Sequence, residues 1–169
     1  MSKLLFEKYI MPASGKMYRY AFSILKDNES AADVVQECLM KIWDKRNKLS
    51  EVNNPESWAM RIIRNQCYDW VKMNRYSVLG DKELEIEDNS NPGEELQTSD
   101  EMVWLNIILN NIPDKQREIF HLREIEGLVY QDIAEIVGVT LSDVKVSLFR
   151  TRNKIKLEMQ KIEQYGIAK

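Results

Sequence analysis

Residues 127–154 read GLVYQDIAEIVGVTLSDVKVSLFRTRNK, the pattern of two short helices separated by a tight turn. In the first, Ile133, Ala134 and Val137 stand at i, i+1 and i+4 and share one helical face. Gly138 follows the last of them, where a left-handed C-cap conformation excludes most side chains. Val139 can fill the corner, and Thr140 or Ser142 can cap the next helix. There Val144 and Leu148 repeat at i, i+4 and face inward, while Lys145, Arg150 and Arg152 fall on other faces, toward solvent or a polyanion. Ala134 is small where two helices crossing at a steep angle need close approach. Taken in order, the set predicts a DNA-binding helix-turn-helix with the second helix as reader. An αα-hairpin with a packing role alone shares the apolar spacing but has no need of the outward basic series.

The length of 169 residues fits one domain or two small ones. A net charge of −3 argues by itself against a polyanion binder. The acid is concentrated, however: residues 77–101 hold nine Asp and Glu against one Lys. From Lys145 to Lys169 the balance reverses to seven basic residues against two acidic ones, so the C-terminal helix is basic. Two cysteines far apart, Cys38 and Cys67, and a single histidine, His121, are too few soft ligands for a structural zinc site. No metal and no cofactor are expected, and both cysteines read as buried, reduced thiols. No apolar run reaches membrane-span length and MSKLLFEKYIM lacks a signal peptide's cleavage region, which predicts no membrane insertion and a cytoplasmic protein.

Residues 4–26 carry an aromatic-rich helical pattern, with Pro12 expected to start its second segment. Ser30-Ala-Ala-Asp33 resembles a capping box that opens the next helix. That helix has Val35, Cys38, Leu39 and Ile42 on one face, and Asp33, Gln36, Glu37, Met40 and Asp44 on a second stripe. Solvation explains the acids; Met40 and the flanking Trp43 within a polar stripe point to a partner surface. Asn54-Pro55 is a strong helix start. The helix that follows, running to about residue 76, can bury Trp58, Ile62 (or Ile63), Cys67, Trp70 and Val71. Its Arg61, Arg64, Asn65, Tyr68, Lys72 and Arg75 recur at helical spacing. Two readings fit this face. Cations interleaved with aromatics suit single-stranded nucleic acid, and a bundle helix also buries tryptophan and solubilises itself with arginine.

Residues 77–100 are acidic, poor in apolar residues and contain Asn-Pro-Gly, the composition of a flexible, self-repelling linker. Beyond it, VWLNIILNNIP predicts an amphipathic helix ended by Pro113. PDKQREIFHLREIEG predicts another, with Ile119, Phe120 and Leu122 inward and Gly127 as its stop. For His121 beside that face the sequence nominates no neighbouring acid or nucleophile in a cleft, so it reads as structural. There is no phosphate loop, GxSxG or metal motif, so nothing marks an enzyme or a catalytic residue.

With both halves in view, the chain resembles a sigma factor of the extracytoplasmic-function (ECF) group within the sigma-70 family. The stretch AADVVQECLMKIW carries the family's residues at Asp33, Gln36, Glu37 and Trp43. PESWAMRIIRNQCYDWVK carries them at Trp58, Arg61, Arg64, Asn65 and Asp69, and residues 112–152 match region 4 along their length. The resemblance implies an all-α protein of two small helical domains: a region 2-like bundle over 1–76, an acidic linker over 77–100, and a region 4-like helix-turn-helix over 101–169. It implies docking of Asp33, Gln36, Glu37, Met40 and Trp43 on the β′ clamp helices of core RNA polymerase. It implies −10 recognition by Lys48, Asn53, Asn54, Trp58, Arg61, Arg64, Asn65, Lys72 and Arg75, with an unstacked base held in a loop pocket. Promoter DNA at −35 would meet Thr140, Ser142, Asp143, Lys145, Val146, Phe149, Arg150 and Arg152. The β flap and an anti-sigma factor are the further partners it implies.

This chain departs from the family pattern at Val146-Ser147, where many relatives have Ser-Arg, and at Ser142-Asp143, where Gly-Thr is commoner. Asp143 there can accept from a cytosine amino group or favour the helix N-terminus electrostatically. A helix-turn-helix regulator acting without core polymerase is the first rival, and it leaves the Gln36-Glu37-Trp43 stripe unexplained. A sigma-like decoy that sequesters an anti-sigma factor is the second, and it would tolerate loss of the cations in the reading helix.

Overall fold

The computed structural model describes residues 1–78 and 99–166, with the backbone alone for 76–78. Every regular element among the described residues is helical. Contacts divide the chain into two units: the first holds the elements up to Val78 and the second those from Asp100 on, except that Glu135–Val137 group with the first.

The first unit begins with α1 (Ser2–Leu5), which runs on as a π-helical turn over Phe6–Ile10. Pro12 lies in a turn, and α2 (Ser14–Leu25) begins two residues after it rather than at it. α2 ends where Lys26 turns left-handed at φ 58°, its N–H donating to the Phe22 carbonyl. α3 (Asn28–Asp44) is capped by Asp27, not by Ser30: extended Asp27 accepts from the Ser30 amide at 2.8 Å. Ser30 lies inside the first turn and adds its own hydroxyl to the same carboxylate at 2.5 Å. These bonds hold the Asp27 carboxyl below its ordinary value, the Ser30 hydroxyl contributing most. A 3₁₀ turn (Arg46–Ser50) leads to α4 (Pro55–Val78), which continues two residues past the expected boundary at 76.

α2, α3 and α4 pack on one another, and α1 packs on the 3₁₀ turn. Each buries its periodic face: Met17 and Tyr20 from α2, Val35, Cys38 and Ile42 from α3, Met60, Ile63 and Cys67 from α4. In α4 the core register falls on Ile63, with Ile62, Trp58, Trp70 and Val71 only half-buried. The small Ala59 and the unbranched Met60 are fully buried where the larger rings are not. Both cysteines are buried thiols outside any disulfide, and burial pushes the Cys38 thiol up to about 12. A thiol so placed stays protonated and inert.

The second unit comprises α5 (Asp100–Asn110), α6 (Asp114–Phe120) continued by a π-helical turn over His121–Ile125, α7 (Tyr130–Val137) and α8 (Leu141–Gln164). α5 stops at Asn110, and Pro113 serves as the residue before α6. α8 packs on α5 and α6. Ile108, Leu109, Ile112 and Phe120 form a core against which Leu105, Ile155, Met159 and Ile162 lie. His121 is buried with its Nε2 3.2 Å from Oε1 of the buried Glu126, a neighbouring acid that the sequence did not nominate. The linker reading lies almost wholly outside the described residues, which resume at Ser99.

Candidate polymerase and nucleic-acid interfaces

The helix-turn-helix is assembled by two backbone devices. Gly138 sits at φ 76°, ψ 42°, and the amides of Gly138 and Val139 both donate to the Ala134 carbonyl, closing α7. A Cβ at Gly138 would meet nothing within 4 Å, so glycine is there for its backbone and not for space. Thr140 then starts α8. Its hydroxyl accepts from the Asp143 amide at 3.1 Å, and the Asp143 carboxylate accepts from the Thr140 amide at 3.1 Å. This reciprocal capping box selects Thr140 over Ser142 as the cap. Ile133, Ala134, Val137, Val144 and Leu148 are all buried.

The box engages the Thr140 hydroxyl and one oxygen, Oδ2, of the exposed Asp143 carboxylate, so both side chains hold the start of α8. Those bonds lower the Asp143 pKa, the Thr140 contacts being the largest cause. A carboxyl depressed in the folded state adds stability above its ordinary value of 3.8 and loses it as pH falls through the lowered value. Thr140→Val therefore lowers the melting temperature at pH 7, and the deficit shrinks at pH 3, where the wild-type box is itself weakened. Equal melting of the two proteins at pH 7 would show that the box contributes nothing.

Ser142, Lys145, Val146, Phe149 and Arg150 are exposed on α8. Ser147 is not: it is buried with Thr151, neither hydroxyl oxygen having a hydrogen-bond partner in the structure. Arg152 is exposed but committed. Its Nε donates to Glu124 Oε1 at 2.9 Å, and Nη2 reaches the same oxygen. Glu124, then Tyr130, raise its pKa by hydrogen bonding. Arg123 stacks over the Tyr130 ring at 4.8 Å and donates to the Leu128 carbonyl. Arg152 thus ties α8 to the turn ahead of α7. The sequence marked its charge but not Glu124, 28 residues away.

That difference is measurable. Lys145→Ala is expected to weaken duplex DNA binding and to lower the slope of log affinity against log salt by about 1. Arg152→Ala is expected to leave the slope nearly unchanged and to lower stability by about 0.5 kcal/mol, the scale of an exposed pair. Equal slope changes in titrations of both variants would place Arg152 on the phosphates instead.

In the first unit, Asp33, Gln36, Glu37, Met40 and Trp43 are all exposed along α3, Met40 to 67%. Trp43 is partly held: it meets Phe6 edge-on at 5.1 Å and carries the Arg46 guanidinium over its ring at 4.4 Å. Glu37 pairs with Lys41 at 2.8 Å, and Lys41 also reaches Gln66 on α4. On α4, Arg61, Asn65, Lys72 and Arg75 are exposed, while Arg64 and Trp58 are half-buried. Arg64 lies 4.6 Å over the Tyr68 ring, so the cation-aromatic interleaving of this face is a physical stack. Lys48 and Asn53 are exposed on the segment before α4. Asn54 caps α4, its Oδ1 accepting from the Ser57 amide at 3.0 Å. Beside them opens a depression of about 570 Å³ lined by Tyr9, Leu49, Ser50, Val52, Asn53 and Glu56, among others. Glu56 is neutralised there by Lys16 at 2.6 Å.

Profiles of two protein regions match the chain: Sigma-70 region 2 over residues 10–76 and Sigma-70, region 4 over residues 105–155. The RNA polymerase sigma factor SigV of Bacillus subtilis is 30% identical over 148 residues, covering 85% of this chain and 84% of that one. The chain belongs to the sigma-70 family. It is an RNA polymerase sigma factor of the ECF group, a transcription-initiation factor and not an enzyme. The ECF RNA polymerase sigma-E factor of Haemophilus influenzae is 26% identical over 168 residues, covering 93% and 86% of the two chains. Among solved structures, the sigma factor RpoE of Bartonella quintana, crystallised with the anti-sigma factor NepR, shares the fold. Its TM-score is 0.70 at 24% identity, over 92% of this chain and 96% of that one.

Proposed function

We propose that this sigma factor binds core RNA polymerase through its first unit and grips a promoter at two points, −10 and −35. The observation that carries this is the pairing, in one chain, of a region 2 match and a region 4 match, with Asp33, Gln36, Glu37, Trp43, Arg61 and Asn65 exposed on their helices. Domain limits of 1–76 and 101–169 with an acidic linker between them fit that division. Exposed Asp33, Gln36, Glu37, Met40 and Trp43 suit the β′ clamp helices. Exposed Met102, Val103 and Ile107 on α5 give region 4 an apolar face for the β flap.

At −10, Arg61, Lys72 and Arg75 track phosphates with Asn65, while Lys48, Asn53, Asn54 and Trp58 border the opened strand. The depression beside Asn53 takes an unstacked base, with Tyr9 as its aromatic wall. At −35, Ser142, Lys145, Val146, Phe149 and Arg150 enter the major groove, presented by Thr140, Asp143 and Arg152. An anti-sigma factor is the proposed regulator, supported by relatives of this fold solved with one. The cytoplasm, where polymerase and promoter lie, is the proposed site of action; no described helix is long and apolar enough to cross a membrane.

The test is transcription from genomic DNA fragments by core polymerase with and without the purified protein, start sites being mapped. New start sites sharing two spaced elements are expected. No starts above core alone would overturn the reading.

A further inference from the structure

We propose that Val146 and Phe149 form an apolar reading edge for thymine 5-methyl groups, so that the −35 element of this factor carries thymine where they meet the groove. The inference rests on α8 being the −35 reader and names what it selects. Val146 and Phe149 are 46% and 67% exposed, three residues apart on one face of α8. Lys145 and Arg150 lie beside them in sequence and are exposed too, so the strip sits among cations suited to phosphates and guanine edges.

The chemistry of the groove leaves one complement. Every base-pair edge in the major groove offers hydrogen-bond donors and acceptors, and only thymine adds a hydrocarbon group. A valine makes no hydrogen bond and a phenyl ring no strong one, so their contribution to choice lies in what they can desolvate. The acid best placed to read cytosine, Asp143, is held by the Thr140 amide. Ser147, between Val146 and Phe149 in sequence, is buried. The outward positions between Lys145 and Arg150 are therefore hydrocarbon, and the partner that matches them is a methyl group.

The test uses holoenzyme assembled from core polymerase and the full chain. A duplex with a randomised −35 segment is first enriched for binding, and the winner is remade with deoxyuridine replacing each thymine in turn, which removes only the methyl. Binding is expected to weaken about three- to fivefold at one or two thymines. Val146→Ser or Phe149→Ser should erase the difference between thymine and deoxyuridine there. Both side chains are exposed, so thermal melts of the variants should match wild type, and the deoxyuridine series needs no variant at all. Full binding by every deoxyuridine duplex, with Arg150→Ala still weakening it, would overturn the thymine assignment and leave the −35 reading standing. No enrichment of any −35 sequence, and no effect of Lys145→Ala or Arg150→Ala, would overturn both.

Discussion

Leu148→Ala unfolds the second unit at a markedly lower urea concentration than wild type, while Phe149→Ala, one residue on, leaves the midpoint unchanged. Leu148 is 1% exposed, and Phe149 is 67% exposed. Truncating a buried leucine removes its transfer free energy and leaves a cavity, together about 2–5 kcal/mol. A unit of this size buries a modest share of its surface and holds few kcal/mol in reserve, so the loss is a large part of its stability. The functional readouts then separate in the opposite sense. Leu148→Ala loses −35-dependent transcription because the reader is no longer folded, yet retains core binding through the first unit. Phe149→Ala retains both fold and core binding and loses only discrimination among −35 sequences. Urea denaturation followed by circular dichroism, with the slope checked for constancy, measures the first claim. An unchanged midpoint for Leu148→Ala would mean that the inner face of α8 is not what holds the unit together.

The helix-turn-helix was legible because its signals are local. Gly138 at positive φ, the Thr140 cap, and Val144 and Leu148 on the inner face all follow from spacing within a dozen residues. The α3 stripe was legible for the same reason, and Asp33, Gln36, Glu37, Met40 and Trp43 are exposed as the period requires. What the period did not decide was competition between adjacent candidates. Asp27, Asn28 and Ser30 can all cap a helix, and the choice of Asp27 depends on which residue has extended backbone, here φ −136°. Likewise Ile62 and Ile63 differ by 100° around α4, and the selection of Ile63 follows from where α2 and α3 lie. Contacts distant in sequence left no local trace. Arg152 is spaced like a phosphate contact, and only the fold brings Glu124 to it. His121 and Glu126 are polar by type yet buried together, because a π-helical turn brings the i and i+5 positions onto one face.

The second large effect concerns the two faces of the first unit. Met40→Lys is expected to lower affinity for core polymerase at least about tenfold, the scale of an interface hot spot. It should change stability by no more than about 0.5 kcal/mol, because Met40 stands 67% exposed on α3. Trp43→Ala is a poorer probe of the same surface. It also removes the edge-on contact to Phe6 and the seat of the Arg46 guanidinium, so lost docking and lost packing would be mixed. Glu37→Ala is weaker again, since Glu37 already pairs with Lys41. Arg61→Ala lies on α4, exposed on the cationic face, and should act on DNA alone. Core affinity is expected to stay within twofold of wild type, while open-complex formation at saturating core falls about tenfold with a reduced dependence on salt. Core binding followed by fluorescence anisotropy, and strand opening followed by permanganate reactivity, measure the two separately. If Arg61→Ala and Met40→Lys lose core affinity equally, the division of α3 for polymerase and α4 for the opened strand is wrong. If Met40→Lys opens promoters poorly even when core is saturated, the α3 stripe takes part in melting as well as docking.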